Sequence, residues 1–183
     1  MASGPDGTGS RDIGGSESDV SAPRETLAGE LVETLRAARE TLAVAESCTG
    51  GGLGALITGI AGASHVFWGG VIAYRNAAKV DLLRVDAADL EQHGAVSREV
   101  AVAMAEGVRR VADATWGASI TGIAGPSGGT PDKPVGTVWF AVDGPRTSSA
   151  VRRFPGDRAE IRARSVDEAI SLLLAACAVG DNG

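Results

Sequence analysis

Tyrosine occurs once in this 183-residue chain, at Tyr74, and lysine only twice, at Lys79 and Lys133, against fifteen arginines. Cysteine and histidine are as scarce. Cys48 and Cys177 cannot build a disulfide framework, and with His65 and His93 they show no metal-ligand spacing. Positive charge is in deficit too: the formal net charge is -6, whereas a nucleic-acid binder needs a basic footprint. No apolar run approaches the ~20 residues of a membrane span. The opening MASGPDGTGSRDIGGSESDVSAP lacks the apolar stretch of a signal peptide. These absences predict no metal, no cofactor, no membrane contact, no nucleic acid and a cytoplasmic location.

What is present is a packable core. Apolar residues make up 44% of the chain, enough for one domain of this length. Residues 1–22 are rich in Gly, Ser and Asp and read as a flexible tail, leaving 23–180 as a single domain. Leu27, Leu31 and Leu35 recur at helical spacing. The apolar run 41–45 reads as a buried strand, followed by the turn cluster 46–52 and a helix carrying Leu53, Leu56, Ile57 and Ile60. A second strand is expected over 66–74, then a helix capped by Asn76 and running to about Arg84. Ser97 is placed to cap a helix that buries Val100, Met104, Val108 and Val111. A third strand, 118–123, broken by Gly122 and Gly125-Pro126, leads into the Gly/Pro loop 127–134. Strands 137–142 and 149–154 form a late antiparallel hairpin, and a last helix starts near Asp157. Strands and helices alternating in this way predict an α/β protein, a three-layer α/β/α sandwich around a mixed, mostly parallel sheet.

In such folds, sites gather where strand ends meet helix starts. Ser47 sits at such a turn, and the three following glycines, Gly50, Gly51 and Gly52, let a ligand approach the main chain. The same residues are compatible with plain helix capping by Ser47 and Thr49. A chain that uses arginine wherever a charge suffices makes its lysines conspicuous, because an amine can be tuned into a base and a guanidinium cannot. Lys79 falls near a helix start, where the macrodipole disfavours a cation, and Tyr74 lies five residues before it. A Ser–Lys pair with tyrosine help is one reading; a solvated helix cation beside a strand-end aromatic is the other. The segment Thr121-Gly-Ile-Ala-Gly-Pro-Ser-Gly-Gly129 is either a pocket wall or a structural loop. It is no Walker A loop, since no Gly-Lys-Ser/Thr follows.

The residues also carry a resemblance. Ala45-Glu-Ser-Cys-Thr-Gly-Gly51, Gly69-Gly-Val-Ile-Ala-Tyr-Arg-Asn-Ala-Ala-Lys79, Gly94-Ala-Val-Ser97, Met104-Ala-Glu-Gly107, Thr121-Gly-Ile-Ala-Gly-Pro126 and Lys133-Pro-Val-Gly-Thr137 occur in this order. The chain thereby resembles the CinA C-terminal domain family, similar to nicotinamide-nucleotide amidohydrolases, over roughly residues 24–178. The resemblance implies deamidation of nicotinamide mononucleotide, with Ser47 as nucleophile and Lys79 and Tyr74 as its activating partners. With this goes an oxyanion site of main-chain N–H groups over Thr49 to Gly51. Substrate contacts are expected from Thr49, Gly50, Gly51 and Asn76 on one side. Thr121, Gly122, Gly125 and Arg158 are expected on the other. Arg75 stands where the family pattern usually has serine, a departure at the pocket rim or at a subunit contact of a possible homo-oligomer. The competing functions are a serine amidase for another small amide and a nucleotide-binding regulatory module without turnover.

Overall fold

The computed structural model describes residues 21–178; most of the expected tail lies outside them, and its last two residues, Ser21 and Ala22, open the first helix. The order is α1 (Ser21–Ala38), β1 (Leu42–Glu46), α2 (Gly52–Thr58), β2 (Phe67–Ile72), α3 (Asn76–Leu83), α4 (Ala87–His93), α5 (Arg98–Ala112), β3 (Trp116–Gly122), β4 (Thr137–Asp143), β5 (Ser148–Arg153) and α6 (Arg158–Ala178). The five strands form one sheet in the order β2-β1-β3-β4-β5. β1 runs parallel to both neighbours, and β4 is antiparallel to β3 and β5. Four of the five strands therefore point the same way, and the late hairpin supplies the one that does not.

Both faces of the sheet are buried at its centre, which is why β1 reads as an unbroken apolar run. Leu42 and Val44 point into a cluster completed by Leu31 and Leu35 of α1, Leu53 and Ile57 of α2, and Ile161, Ile170 and Leu173 of α6. Ala43 and Ala45 point the opposite way, toward Leu83 of α3 and Val100, Met104 and Val108 of α5. This is the expected three-layer sandwich. Small residues set the spacing of the second layer: a Cβ on Gly107 would strike the main chain at Leu83, and one on Gly117 would strike the main chain of α5. α3 and the sheet thus both approach α5 closely.

Three local expectations are corrected. Ser97 does cap α5, accepting from the Val100 N–H at 3.3 Å, but the face it starts continues to Ala112. Val111 is 48% exposed instead, because successive steps of four from Val100 reach residue 112 and not 111. Asn76 is the first helical residue of α3; Arg75 holds the cap position and makes no side-chain cap. Gly122, expected to break the third strand, pairs with Val138 inside the ladder.

Candidate active site

The Ser47 turn is shaped from within by a residue that the sequence reading gave no role. Glu46 ends β1 with its side chain 1% exposed. Its Oε2 accepts from the N–H groups of Gly51 at 3.0 Å and Leu53 at 3.1 Å, and its Oε1 from Gly54 at 2.8 Å. The carboxylate thereby satisfies the open donors at the start of α2. Ser47 extends the β1 ladder by donating its N–H to Ile120, and the chain then reverses, with the Gly50 N–H returning to the Ser47 carbonyl at 3.1 Å. Gly50 and Gly51 turn with φ of +61° and +97°, a region costly for a side chain. The expectation of oxyanion donors over Thr49 to Gly51 is accordingly revised. The N–H groups of Gly50 and Gly51 are already engaged, whereas those of Cys48 and Thr49 make no main-chain hydrogen bond among the described residues, and the Cys48 N–H lies against its own thiol.

Lys79 reaches this turn from the first turns of α3. Its side chain is 1% exposed, and Nζ lies 3.1 Å from Ser47 Oγ while donating to the Ala73 carbonyl at 2.8 Å. No carboxylate pairs with it among the described residues. Burial holds its pKa below the ordinary lysine value, and a small opposing effect comes from Cys48. The direction is the one expected from the sequence, but desolvation is the cause, not the helix dipole. Nζ is the donor in both contacts; once neutral, the amine keeps an N–H for Ala73 and has a lone pair that can accept from the serine hydroxyl at the same distance. Cys48, next in sequence to Ser47, is no rival nucleophile, because burial pushes its thiol up to about 11.

Ser47 and Lys79 open into a cavity of about 350 Å³, within the ~300–1,000 Å³ usual for small-molecule sites. Of the expected residues, Tyr74, Asn76, Thr121, Gly122, Gly125 and Arg158 line it as well. Thr49, Gly50 and Gly51 do not. Thr49 is 1% exposed, and together with Arg162 it lines a separate hollow of about 250 Å³. Arg162 donates to the Thr49 carbonyl at 2.7 Å and so braces the turn from α6. Arg158 donates to the Tyr74 hydroxyl and to the Gly125 carbonyl, both at 2.9 Å. It ties the end of β2 to the loop after β3 across the cavity mouth. Thr121 is fixed by donating to the Ala95 carbonyl at 2.7 Å. Ala95 and Val96 were unanticipated as contacts, although both lie within a motif of the resemblance, while Ile123, Ala124, Ser127 and Gly128 line the cavity from the segment read as a possible pocket wall. Neither histidine lines the cavity. Lys133, the other lysine, straps its loop to the His93 carbonyl at 2.6 Å.

The lining contains the Arg158 guanidinium beside the Lys79 amine, and no aspartate or glutamate. A chain of net charge -6 has therefore kept its acids off this cavity, which suits an anionic ligand.

A doubly covered α/β sheet with a buried serine–lysine contact at the mouth of β1 defines the class. Residues 24–177 match the model of the CinA C-terminal domain, and the chain belongs to that family. It is 52% identical over 166 residues to a CinA-like protein of Synechococcus sp. (strain RCC307), covering 89% of this chain and 40% of that protein. It is 62% identical over 122 residues to a CinA-like protein of Acaryochloris marina (strain MBIC 11017), covering 67% and 29%. The chain thus spans well under half the length of these relatives. Among solved structures, the competence/damage inducible protein CihA from Agrobacterium tumefaciens superposes with a TM-score of 0.82 at 37% identity, covering 83% of this chain and 94% of that one. The competence damage-inducible protein A (ComA) from Klebsiella pneumoniae subsp. pneumoniae MGH 78578 gives 0.83 at 33% identity, covering 86% and 99%. Among the described residues no helix is long and apolar enough to cross a membrane, and no group of three His, Cys, Asp or Glu side chains is placed to hold a metal ion.

Proposed function

We propose that the chain is an amidohydrolase that converts nicotinamide mononucleotide to nicotinate mononucleotide and ammonia through an acyl-serine. The observation that carries this reading is the 3.1 Å contact between Ser47 Oγ and a buried, uncompensated Lys79 amine. Burial shifts that amine toward its neutral form, which makes it a better proton acceptor than an ordinary lysine.

Ser47 Oγ attacks the carboxamide carbon as its proton passes to Lys79 Nζ. The resulting oxyanion forms beside the main-chain N–H of Cys48, the residue after the nucleophile and part of the cavity lining. Collapse of the tetrahedral species breaks the C–N bond, and the proton held on Lys79 leaves with the nitrogen as ammonia. Water then attacks the ester while Lys79 accepts its proton, and the proton returns to Ser47 as the carboxylate departs. The transfer is direct. Tyr74 is half-exposed and bonded to Arg158, which places it as a wall of the mouth. The nucleotide phosphate is drawn to Arg158 and the main chain over Gly122 to Gly128, a wall free of acidic side chains.

Ammonia release from nicotinamide mononucleotide by the purified protein tests the reading directly. Ser47→Ala is expected to abolish it while mononucleotide binding, read by calorimetry, persists. Turnover of another small amide in place of the mononucleotide would keep the chemistry and replace the substrate. Binding without turnover of any amide would make the chain a regulatory module and overturn the proposal.

A further inference from the structure

Two sequence motifs that the reaction leaves unused, Gly94-Ala-Val-Ser97 and Lys133-Pro-Val-Gly-Thr137, meet at one point. Lys133 Nζ donates to the carbonyl of His93, the last residue of α4, at 2.6 Å. A Cβ on Gly94 would lie 3.6 Å from that Nζ, so the ammonium group sits over the glycine that ends the helix. A lysine on the last carbonyls of a helix is a favourable terminus, and a charged donor makes the stronger kind of hydrogen bond. Both partners adjoin the cavity. Ala95 and Val96 line it just beyond Gly94, and Ser127 and Gly128 line it from the loop that carries Lys133.

The two walls differ in how they are held. Residues 94–97 are fixed on several sides: the Gly94 N–H donates to Leu90 at 3.1 Å, Ser97 Oγ to the Gly94 carbonyl at 2.8 Å, and Thr121 to the Ala95 carbonyl at 2.7 Å. The loop folds back on itself. Its neck closes where the Gly136 N–H meets the Ile123 carbonyl at 2.8 Å, and its tip turns where the Thr130 N–H meets the Lys133 carbonyl at 2.9 Å. Among the described residues, the Lys133–His93 bond is the one hydrogen bond that ties residues 127–134 to anything outside the 123–137 segment. Ser127 and Gly128 lie between the neck and this bond. We infer that Lys133 is a positioning residue, whose bond to His93 clasps the ligand-facing loop to the fixed wall and sets where residues 125–128 stand against the anionic group of the substrate. The kinetic part of this inference rests on the proposed deamidase reading; the clasp itself rests on geometry. Lys133 does not line the cavity, so it acts through the loop and not on the ligand. Its task needs a donor and no loss of a proton, which separates it from Lys79: arginine can serve in one place and not in the other.

The test compares the full native chain with Lys133→Met, which keeps the aliphatic stem and removes the donor, and with Lys133→Arg, which keeps a donor. Without substrate, hydrogen exchange at the Thr130 and Gly94 amides is expected to quicken about tenfold in Lys133→Met, while amides of β1 and β3 keep their native rates. With nicotinamide mononucleotide, KM is expected to rise about tenfold and kcat to stay within about twofold, because Ser47 and Lys79 stand on other elements. Lys133→Arg is expected to bring exchange and KM back to within about threefold of native. Native exchange rates in Lys133→Met would overturn the inference. Faster exchange with an unchanged KM would make the bond a structural tie alone, and would also overturn it. A loss confined to kcat, or an arginine variant no better than methionine, would do the same. The exchange comparison needs no turnover. A native chain that leaves the mononucleotide intact, with the exchange difference present, would therefore sink the deamidase reading and uphold the clasp.

Discussion

Replacing Glu46 by glutamine changes one atom in the centre of the nucleophile turn and keeps its shape. The native carboxylate accepts three main-chain N–H bonds, two at Oε2 and one at Oε1. An amide in its better orientation keeps the pair at one oxygen but at neutral strength, a loss of ~1 kcal/mol for each. Its NH2 group then faces the Gly54 N–H and leaves that donor unpaired, at ~1–3 kcal/mol. A neutral amide is easier to bury than a carboxylate, which offsets roughly 1–2 kcal/mol. The net loss is about 2–3 kcal/mol, or a fall in Tm of roughly 5–10 °C for a domain of this size. Scanning calorimetry at neutral pH reads this, and a Tm within about 2 °C of native would refute the accounting. Turnover measured well below the transition separates positioning from mere stability. A loosened turn displaces Ser47 from Lys79 and lowers kcat in the folded enzyme. Glu46→Asp, one methylene short of the same donors, should not rescue it.

Lys79→Arg keeps a cation but cannot give up its proton near neutrality, so deamidation should fall by on the order of 10²-fold or more. The native rate should rise with pH and level off below the ordinary lysine range, since only the neutral amine accepts the serine proton; stopped ammonia assays in Lys79→Arg should show that limb gone. With its thiol pushed up to about 11, Cys48 exposes only about one thiolate in a thousand at pH 8. Peptide mapping after iodoacetamide should therefore find Cys48 unmodified in native protein and labelled after denaturation. Gly107→Ala drives a methyl into the Leu83 main chain and should cost about 1–3 kcal/mol in urea unfolding; an unchanged midpoint would show that α3 and α5 can move apart freely.

Layer order was legible in the sequence for physical reasons that can be named, whereas the pairing of Ser47 with Lys79 was left open by the residues and came from the family resemblance. β1 is apolar on both faces because both are covered, and the motifs bracket each strand exit. α4 was not legible: AADLEQH contains a single large apolar residue, Leu90, and buries none of its side chains. Its cap, Asp86 accepting from Ala88 at 2.9 Å, is a local signal that apolar spacing does not register. That the Gly51 N–H is already taken was not legible, because Glu46 acts five to eight residues ahead of itself, at distances no periodicity reports. The one clue was a carboxylate closing an otherwise apolar strand. Arg162 escaped for a different reason: its partner, Thr49, is 113 residues away, and only the fold makes them neighbours.

The Glu46 carboxylate also divides the site into two halves with different freedoms. In many nucleotide-binding folds the first turn of a helix after a strand stays open until a ligand's phosphate arrives to complete it. Here the chain supplies its own anion to that turn, so the serine is aimed in the empty protein and does not wait on the ligand. Under the proposed function, ligand recognition falls to the opposite wall, from Gly122 to Gly128 and Arg158. That wall can be altered to admit a different anionic amide without re-solving the placement of the nucleophile.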